Sequence, residues 1–320
     1  MPVLIEPNVI AQKAHKRSMR LMGNQFEITV VSGSADFAEY CIDQAVHEIS
    51  RIESLLTTFR DDSQTNLINK YAGIKPIEVD KEVYDLVARS VKISALTQGA
   101  FDITYGSVDK SFWNFDTHMT ALPDREAAKK SVRLINYRNI ILDPGNHSIY
   151  LKEKGMRIGF GGIGKGYAAE CAKKLLKKLG VKSGIVNASG DLTAWGDQPG
   201  GQPWTIGIAD PNCGNQPFSY LNISDLAIAT SGSYEKFAII NGKKYSHTID
   251  PKTGFPVSGI KSVSIICPDA EIADAMATPV TVMGINPGLS LINQMMGMAC
   301  IIIDDNDRLY TSENIKLTQS

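Results

Sequence analysis

Five stretches of the chain carry apolar residues at intervals of three and four, which is the spacing of an amphipathic helix. The first begins behind Ser34 or Asp36, side chains that commonly cap a helix start. Gln98-Gly99 and Gly180 are the expected ends of the second and third. The predicted helices are 37–56, 82 to about 97, 166–179, one containing 274–283 and one near 289–296.

Alternating or short apolar runs predict strands between these helices. Two apolar runs flank Pro144-Gly145, which predicts a hairpin over 139–151. The residues from 60 to 69 are mostly polar and predict a loop. The other predicted strands are 25–32, 184–188, 204–209, 237–240 with its turn at 241–242, 261–267, and a final pair around 304–308.

No repeat and no linker-like tract divides the sequence, so two independent domains are not indicated. The irregular order of helices and strands predicts an α+β fold with two closely packed lobes. We expect one unit over residues 1–320, preceded by an N-terminal extension of about residues 1–20.

The composition is that of a globular protein and argues against two classes of partner. The 320 residues are 43% hydrophobic and 21% charged, with a formal net charge of −1. A net charge this close to zero offers no electrostatic footprint for nucleic acid or for an anionic membrane surface. No apolar run approaches the ~18 residues of a membrane span.

The cysteines indicate a reducing compartment. The five of them are an odd number, lie far apart and form no C-x-x-C pair. Residues 1–24 mix charged side chains with short apolar runs and lack the apolar core of a signal peptide. We therefore expect the protein in the cytoplasm.

A glycine-rich run, GFGGIGKG, extends from Gly159 to Gly166. Its letters match a dinucleotide fingerprint, but the residue about 20 positions on is Leu179 rather than an acid. Gly166 also stands where a phosphate loop would have Ser or Thr after Lys165. A glycine-rich turn that leads into a helix still exposes backbone amides suited to a diphosphate. Close packing by glycines is the structural alternative.

Asp274 and Thr278 are four residues apart on a predicted helix, so their oxygens share one face. One carboxylate together with substrate oxygens is a common way to hold Mg²⁺. The alternative is structural: an acid that complements the helix dipole, and a threonine that bonds back into its own helix.

His247 lies in a segment rich in turn formers and polar atoms, YSHTIDPKTG. A loop imidazole is a candidate base or phosphate ligand, and a structural histidine is the competing interpretation. Ser231 lacks the G-x-S-x-G context of a hydrolase nucleophile, which argues against a serine hydrolase.

Eight stretches resemble the motifs of one known family, in the same order along almost the whole chain. Each motif is weak alone, and the ordered series is specific. On these residues the chain resembles the ApbE family of FAD:protein FMN transferases. The stretches are Met22-Gly23, LTTFR with Asp62-Ser63, GAFDIT with Trp113 and Phe115, GGIGKGYA, VNASGD, ATSG, SHTIDP with Thr253-Gly254, and ADAMAT.

The resemblance implies a single α+β unit of two lobes, with FAD in the cleft between them and magnesium on its diphosphate. The implied metal ligands are Asp274, Thr278 and the backbone carbonyl of Gly162. His247 and Asp274 are the implied catalytic residues, and His247 or a nearby carboxylate is the candidate base. The implied FAD contacts are Met22, Phe59, Ala100, Phe101, Asp102, Lys165, Asp191, His247 and Thr248.

The implied reaction is magnesium-dependent transfer of FMN from FAD to a Ser or Thr hydroxyl of an acceptor flavoprotein, with release of AMP. Family acceptors carry a segment of the type D/S-G-A/S-T. This chain has no S-G-A-T or D-G-A-T, so the flavin is expected on a different protein. Two alternatives stay open: an FAD pyrophosphatase that forms FMN and AMP, and a flavin-binding protein without turnover.

Three positions depart from the family pattern. Gly159 replaces an aspartate at the head of the glycine run, Asn24 replaces a threonine, and Ala188-Ser189 replaces Leu-Gly. These departures alter single contacts with the cofactor that the family pattern implies, chiefly the contact at position 159, where the aspartate side chain is lost. Phe59 stands in place of a tyrosine, which keeps a ring for stacking and loses a hydroxyl.

Overall fold

The computed structural model describes residues 11–109, 121–209, 217–232, 237–240 and 243–315. The helices are α1 (Ala35–Leu56), α2 (Gln64–Lys70), α3 (Lys81–Leu96), α4 (Arg125–Ser131), α5 (Gly164–Lys178), α6 (Ala270–Met283) and α7 (Ile285–Asn293). The strands are β1 (Lys13–Leu21), β2 (Asn24–Ser32), β3 (Ile77–Glu78), β4 (Ile140–Asp143), β5 (Ser148–Leu151), β6 (Gly184–Ala188), β7 (Asp191–Trp195), β8 (Trp204–Ala209), β9 (Pro217–Ile223), β10 (Leu226–Gly232), β11 (Phe237–Ile240), β12 (Lys243–Ser246), β13 (Ile260–Cys267), β14 (Ala299–Asp304) and β15 (Leu309–Thr311).

Eight strands form one large sheet in the order β1-β2-β6-β7-β10-β13-β14-β15. Every neighbouring pair in it is antiparallel. A smaller sheet, β3-β5-β4, contains the hairpin predicted around Pro144-Gly145. Two separate hairpins, β8-β9 and β11-β12, complete the sheets of the described chain.

Other elements pack on both faces of the large sheet. Successive side chains of a strand point to opposite faces, so each strand can contribute apolar residues to both packing layers. On β2, Phe26, Ile28 and Val30 are fully buried against the main core, which includes the apolar faces of α1, α5 and α6. The opposite face buries Leu192 and Ile228 under the β8-β9 hairpin. Each such side chain contributes about 1.5–3 kcal/mol by leaving water.

Most of the predicted elements are confirmed, and the start of α1 is resolved in favour of Ser34. Its hydroxyl accepts a hydrogen bond from the backbone N–H of Phe37 at 3.3 Å. This satisfies one of the donors that a helix start leaves unpaired. The turn at 241–242, together with Trp113 and Phe115, lies outside the described residues.

The loop predicted for residues 60–69 is wrong, because its second half forms helix α2. Ser63 caps this helix by accepting the N–H of Asn66 at 3.1 Å. Asn69 then exchanges two hydrogen bonds with the backbone of Ile158, at 2.7 and 3.1 Å. Polar residues that indicated a loop are therefore a cap and a buried cross-link.

Part of the predicted N-terminal extension belongs to the large sheet. Lys13–Leu21 form β1, which pairs with β2 over its full length. Among the described residues, no helix combines the length and apolar character needed to cross a bilayer.

Helix α5 approaches α6 so closely that only a glycine fits at position 166. A Cβ on Gly166 would lie 2.1 Å from the carbonyl oxygen of Ala270 and 2.6 Å from Cβ of Asp274. The close-packing interpretation of the glycine run is therefore correct at this position. At Gly161 the same construction meets no atom within 4 Å.

We predict that Gly166→Ala lowers the free energy of unfolding by about 3 kcal/mol, since two helix backbones must separate to admit one methyl group. Gly161→Ala is the matched control and should change it by less than about 0.5 kcal/mol. Urea unfolding of both variants measures the difference. Equal stabilities would mean that α5 and α6 are not held at this distance.

Candidate active site

A cavity of about 370 Å³ opens where five segments of distant sequence meet, one of them the end of β10 at Ser231 and the other four longer. These four are the stretch after α3, the glycine run, the C-terminal half of α6 and the loop that follows β12. The cavity brings together seven residues named from the sequence: Ala100, Phe101, Asp102, Gly162, His247, Thr248 and Thr278.

The glycine run forms one wall of this cavity and then starts α5. Gly159 and Gly161 line the cavity, and a Cβ on either would meet no atom within 4 Å. Ile163, the residue before α5, makes no side-chain cap, so the amides of the first turn depend on other partners. The open space beside these glycines leaves the backbone accessible to a ligand.

Asp274 is the carboxylate that reaches the start of α5. It is 6% exposed, and its Oδ2 accepts a hydrogen bond from the N–H of Gly166 at 2.9 Å. Burial, followed by the negative charge of Asp191, raises the pKa of Asp274, while Lys165 and the backbone N–H groups oppose the rise. An anion buried in this way favours a nearby cation.

Thr278 follows Asp274 by one helical turn and faces Gly162. The Thr278 Oγ1 lies 4.0 Å from the position that a Cβ on Gly162 would occupy. Gly162 and Thr278 both line the cavity. The three residues named as metal ligands are thus neighbours, and the shared helix face predicted for Asp274 and Thr278 brings both toward the glycine run.

Lys165 and Asp191 form an ion pair beside this cluster. Asp191 is 4% exposed, and its Oδ1 also accepts the N–H of Thr230 at 3.1 Å. Thr230 in turn shares a hydrogen bond of 2.8 Å with Ser264. Lys165 and Thr230 line a second, smaller cavity of about 210 Å³ on this side.

Asp102 fixes the wall of the cavity that is formed by the stretch after α3. It is buried, and its carboxylate accepts hydrogen bonds from the N–H and the hydroxyl of Thr104, at 2.8 and 2.6 Å, and from the N–H of Tyr137, at 2.9 Å. Burial raises the pKa of Asp102, and these hydrogen bonds act against the rise. The carboxylate therefore fixes two chain segments to each other.

His247 and Thr248 belong to a loop whose backbone is held by hydrogen bonds to two side chains. His247 is exposed, whereas Thr248 is buried and donates its N–H to the hydroxyl of Ser246 at 3.1 Å. The next amide, of Ile249, donates to the phenolic oxygen of Tyr105 at 3.1 Å. Burial raises the pKa of Tyr105, which keeps the phenol neutral at physiological pH.

The comparisons with known proteins place this geometry in a family. A model of the ApbE family matches residues 22–302. This chain belongs to the ApbE family. A curated FAD:protein FMN transferase of Treponema pallidum (strain Nichols) is 32% identical over 278 residues, which cover 82% of this chain and 76% of the relative. One of Klebsiella pneumoniae (strain 342) is 29% identical over 271 residues, 84% of each chain.

Solved ApbE structures share the fold, which confirms the α+β prediction. The crystal structure of the ApbE protein of Thermotoga maritima superposes with a TM-score of 0.84, at 29% identity, covering 94% of this chain and 97% of that one. The apo flavinyl transferase ApbE of Pseudomonas stutzeri gives 0.82 at 26% identity, covering 96% and 97%.

Five of the residues named from the sequence lie off the walls of the larger cavity in this ApbE chain: Met22, Phe59, Lys165, Asp191 and Asp274. Met22 donates its N–H to Glu53 at 2.9 Å, and its Cε lies 3.7 Å from the Cβ position of Gly164. Phe59 is 96% exposed. Its ring lacks cover from the described protein, so its proposed stacking contact stays a prediction.

Sequence reasoning missed Tyr105 and undervalued Ser231 as cavity residues. Both line the cavity. Tyr105 follows the GAFDIT stretch directly, so extending that motif by one residue would have included it. Ser231 was rejected as a nucleophile and included in the ATSG motif at the end of β10, but it was not named as a contact of the cofactor.

We predict that Asp191→Asn lowers the free energy of unfolding by about 2 kcal/mol, because it leaves the partly exposed Lys165 cation beside a neutral amide. Asp225→Asn is the control, since Asp225 and Lys177 form an exposed ion pair at 3.6 Å; we expect a change below about 0.5 kcal/mol. Urea unfolding measures both. An Asp191→Asn protein as stable as the control variant would remove this pair from the supports of the site.

Proposed function

We propose that this protein transfers FMN from FAD to a Ser or Thr hydroxyl of an acceptor flavoprotein and releases AMP, with magnesium bound at the diphosphate. Curated relatives named FAD:protein FMN transferase confirm the enzyme class. The proposal depends on one observation. The buried Asp274 carboxylate accepts a hydrogen bond from the first turn of α5, at the end of the glycine run that lines an open cavity.

The donor set around Asp274 fits magnesium, a hard cation that prefers oxygen ligands. A carboxylate, the Thr278 hydroxyl and the Gly162 carbonyl would hold it, and substrate oxygens would complete the shell. The buried negative charge of Asp274 favours a cation there. Magnesium, when bound, would neutralise charge on the two phosphates of FAD.

The cavity next to this donor set suits part of an FAD molecule. Its volume of about 370 Å³ falls in the range of small-molecule sites. Phe101 and Ile249 supply apolar wall, and the Thr248 and Ser231 side chains supply polar groups. Amides in the first turn of α5 and the positive end of its dipole would favour the diphosphate.

In the proposed step, the acceptor oxygen forms a bond to the phosphorus of the FMN half. The bond from that phosphorus to the bridging oxygen breaks, and AMP leaves with that oxygen. The hydroxyl proton passes to His247, which is exposed at the cavity wall, or to a nearby carboxylate. The chain contributes mainly by orienting the reactants, since little covalent chemistry falls to the protein.

Cytoplasmic location stays a prediction. Within the described chain, Cys41, Cys171, Cys267 and Cys300 are free thiols, which suits a reducing compartment. Cys213 lies outside the described residues.

We predict that Asp274→Ala abolishes magnesium-dependent release of AMP from FAD, because the donor set loses its only full negative charge. Asp43→Ala is the control, an exposed aspartate on α1 that pairs with Arg17. Chromatographic measurement of AMP over time compares the variants, and circular dichroism checks that both fold. AMP release by Asp274→Ala at the parent rate would remove Asp274 from the mechanism.

We also predict that a polypeptide bearing D-G-A-T gains covalent FMN, with one AMP released per label. An oriented hydroxyl acts at an effective molarity of order ~10⁵ M or more, which favours transfer over hydrolysis where water is excluded. The label is read as flavin fluorescence in a denaturing gel and by intact mass, and replacing the acceptor threonine with alanine should abolish it. Free FMN with no labelled polypeptide would instead establish a pyrophosphatase.

A further inference from the structure

A cleft of about 380 Å³ adjoins the cavity that contains His247, and positive side chains are concentrated in it. Its lining includes four cationic side chains: Lys129 at the end of α4, Arg133 just after it, Arg138, and Lys252 in the loop beyond His247. Asp102 and Pro251 line both the cleft and the cavity, so the two hollows share a wall.

These cations are at most partly neutralised by the described part of the chain. No carboxylate of the described residues forms an ion pair with any of the four, whereas Arg17, Arg51 and Lys81 elsewhere on the surface each do. All four side chains are exposed. Arg138 lies over the ring of Tyr137, with 4.8 Å from its guanidinium carbon to the ring centroid, a cation–π contact that leaves its charge in place.

The one carboxylate that lines the cleft, Asp102, offsets at most one of the four charges: burial raises the pKa of Asp102, and its attraction to Arg138 acts against that larger effect. Asp102 is buried and already accepts three hydrogen bonds from Thr104 and Tyr137. Asp250, two residues before Lys252, accepts the backbone N–H of Lys252 and the hydroxyl of Thr253, at 2.8 and 3.0 Å. In a protein with a net charge of −1, this local excess is a feature of the cleft and not of the whole surface.

We propose that this basic cleft binds an acidic segment of the acceptor polypeptide, next to the hydroxyl that is modified; the proposal rests on the function proposed above. A protein substrate needs more contact than its reacting hydroxyl can supply, and the shared wall of Asp102 and Pro251 puts the cleft one wall away from the cavity. Complementary charge on a protein surface steers a partner and sets its register. A polypeptide that followed the cleft would reach the cavity beside the His247 loop.

The test is direct binding, which does not depend on turnover. Two dye-labelled peptides carry D-G-A-A, in which alanine replaces the acceptor threonine, with either three acidic or three basic residues on each flank. Fluorescence anisotropy gives their Kd for the parent protein. We expect the acidic peptide to bind at least tenfold more tightly, and this preference to shrink as salt rises from about 50 to 300 mM.

A charge swap shows whether the preference resides in the cleft. In Arg133→Glu/Lys252→Glu the four positions carry no net charge, because the other two cations of the cleft balance the two new carboxylates, so the preference for the acidic peptide should disappear. Lys178→Glu/Lys182→Glu is the matched control, with the same charge change at two exposed lysines near the C-terminal end of α5, and should behave as the parent. The melting temperatures of both variants, compared with that of the parent, show whether the lost preference could come from a loss of folding.

Two outcomes would overturn the proposal. One is equal binding of the acidic and basic peptides by the parent protein, or a preference that survives the Arg133→Glu/Lys252→Glu change. The other is competition by FAD for the acidic peptide together with weaker FAD binding by that variant, which would assign the cleft to the nucleotide. Acidic binding by the cleft without flavin labelling of D-G-A-T would keep the cleft as a site for an acidic polypeptide and reject the transferase reaction instead.

Discussion

The arrangement of the site depends on the contact between the start of α5 and α6. At that contact the Asp274 carboxylate accepts the N–H of Gly166, and the absence of a side chain at Gly166 lets the helices approach. The hydrogen bond offsets part of the cost of burying Asp274 and supplies a partner for a helix-start donor. A single contact therefore sets the distance between the helices and the location of the buried charge.

The surrounding residues maintain this contact from two sides. Lys165 pairs with Asp191, which is tied through Thr230 to Ser264 on β13 of the large sheet. On the other side, Asp102 joins the segment after α3 to Tyr137. Because each carboxylate is buried with charged or hydrogen-bonded partners, loss of one partner leaves an uncompensated group, and such networks favour one arrangement.

The sequence predicted the helices well because amphipathic spacing reports directly which face is buried. α1, α3 and α5 all follow that spacing, and Ser34 marked the start of α1. The prediction of a loop over residues 60–69 was wrong, because the polar character of Asn69 reflects its hydrogen bonds to the distant residue Ile158 and not exposure to solvent. Long-range hydrogen bonds of this kind have no local signature.

The site was predictable to a similar degree, and for a similar reason. The spacing of Asp274 and Thr278 correctly indicated a shared face. The two roles of the glycine run were not separable from sequence, because Gly161 faces open space and Gly166 faces a helix only once α6 is in place. The position of Tyr105 next to GAFDIT was a signal for including it, but its hydrogen bond with the amide of Ile249, 144 positions away, could not be predicted from local sequence.

The distribution of charge separates the two ends of the site. The buried carboxylates Asp274 and Asp191 lie on the side of α5 and the large sheet, where Lys165 balances one negative charge. The exposed cations lie beyond the Asp102 wall, on the side of α4. If the two proposals hold, a cation at Asp274 and a polypeptide in the basic cleft would use different residues of the site, since Asp274 does not line that cleft. Under the proposed function, the nucleotide and the protein acceptor could then be held together, and a transfer between them requires that both be oriented at once.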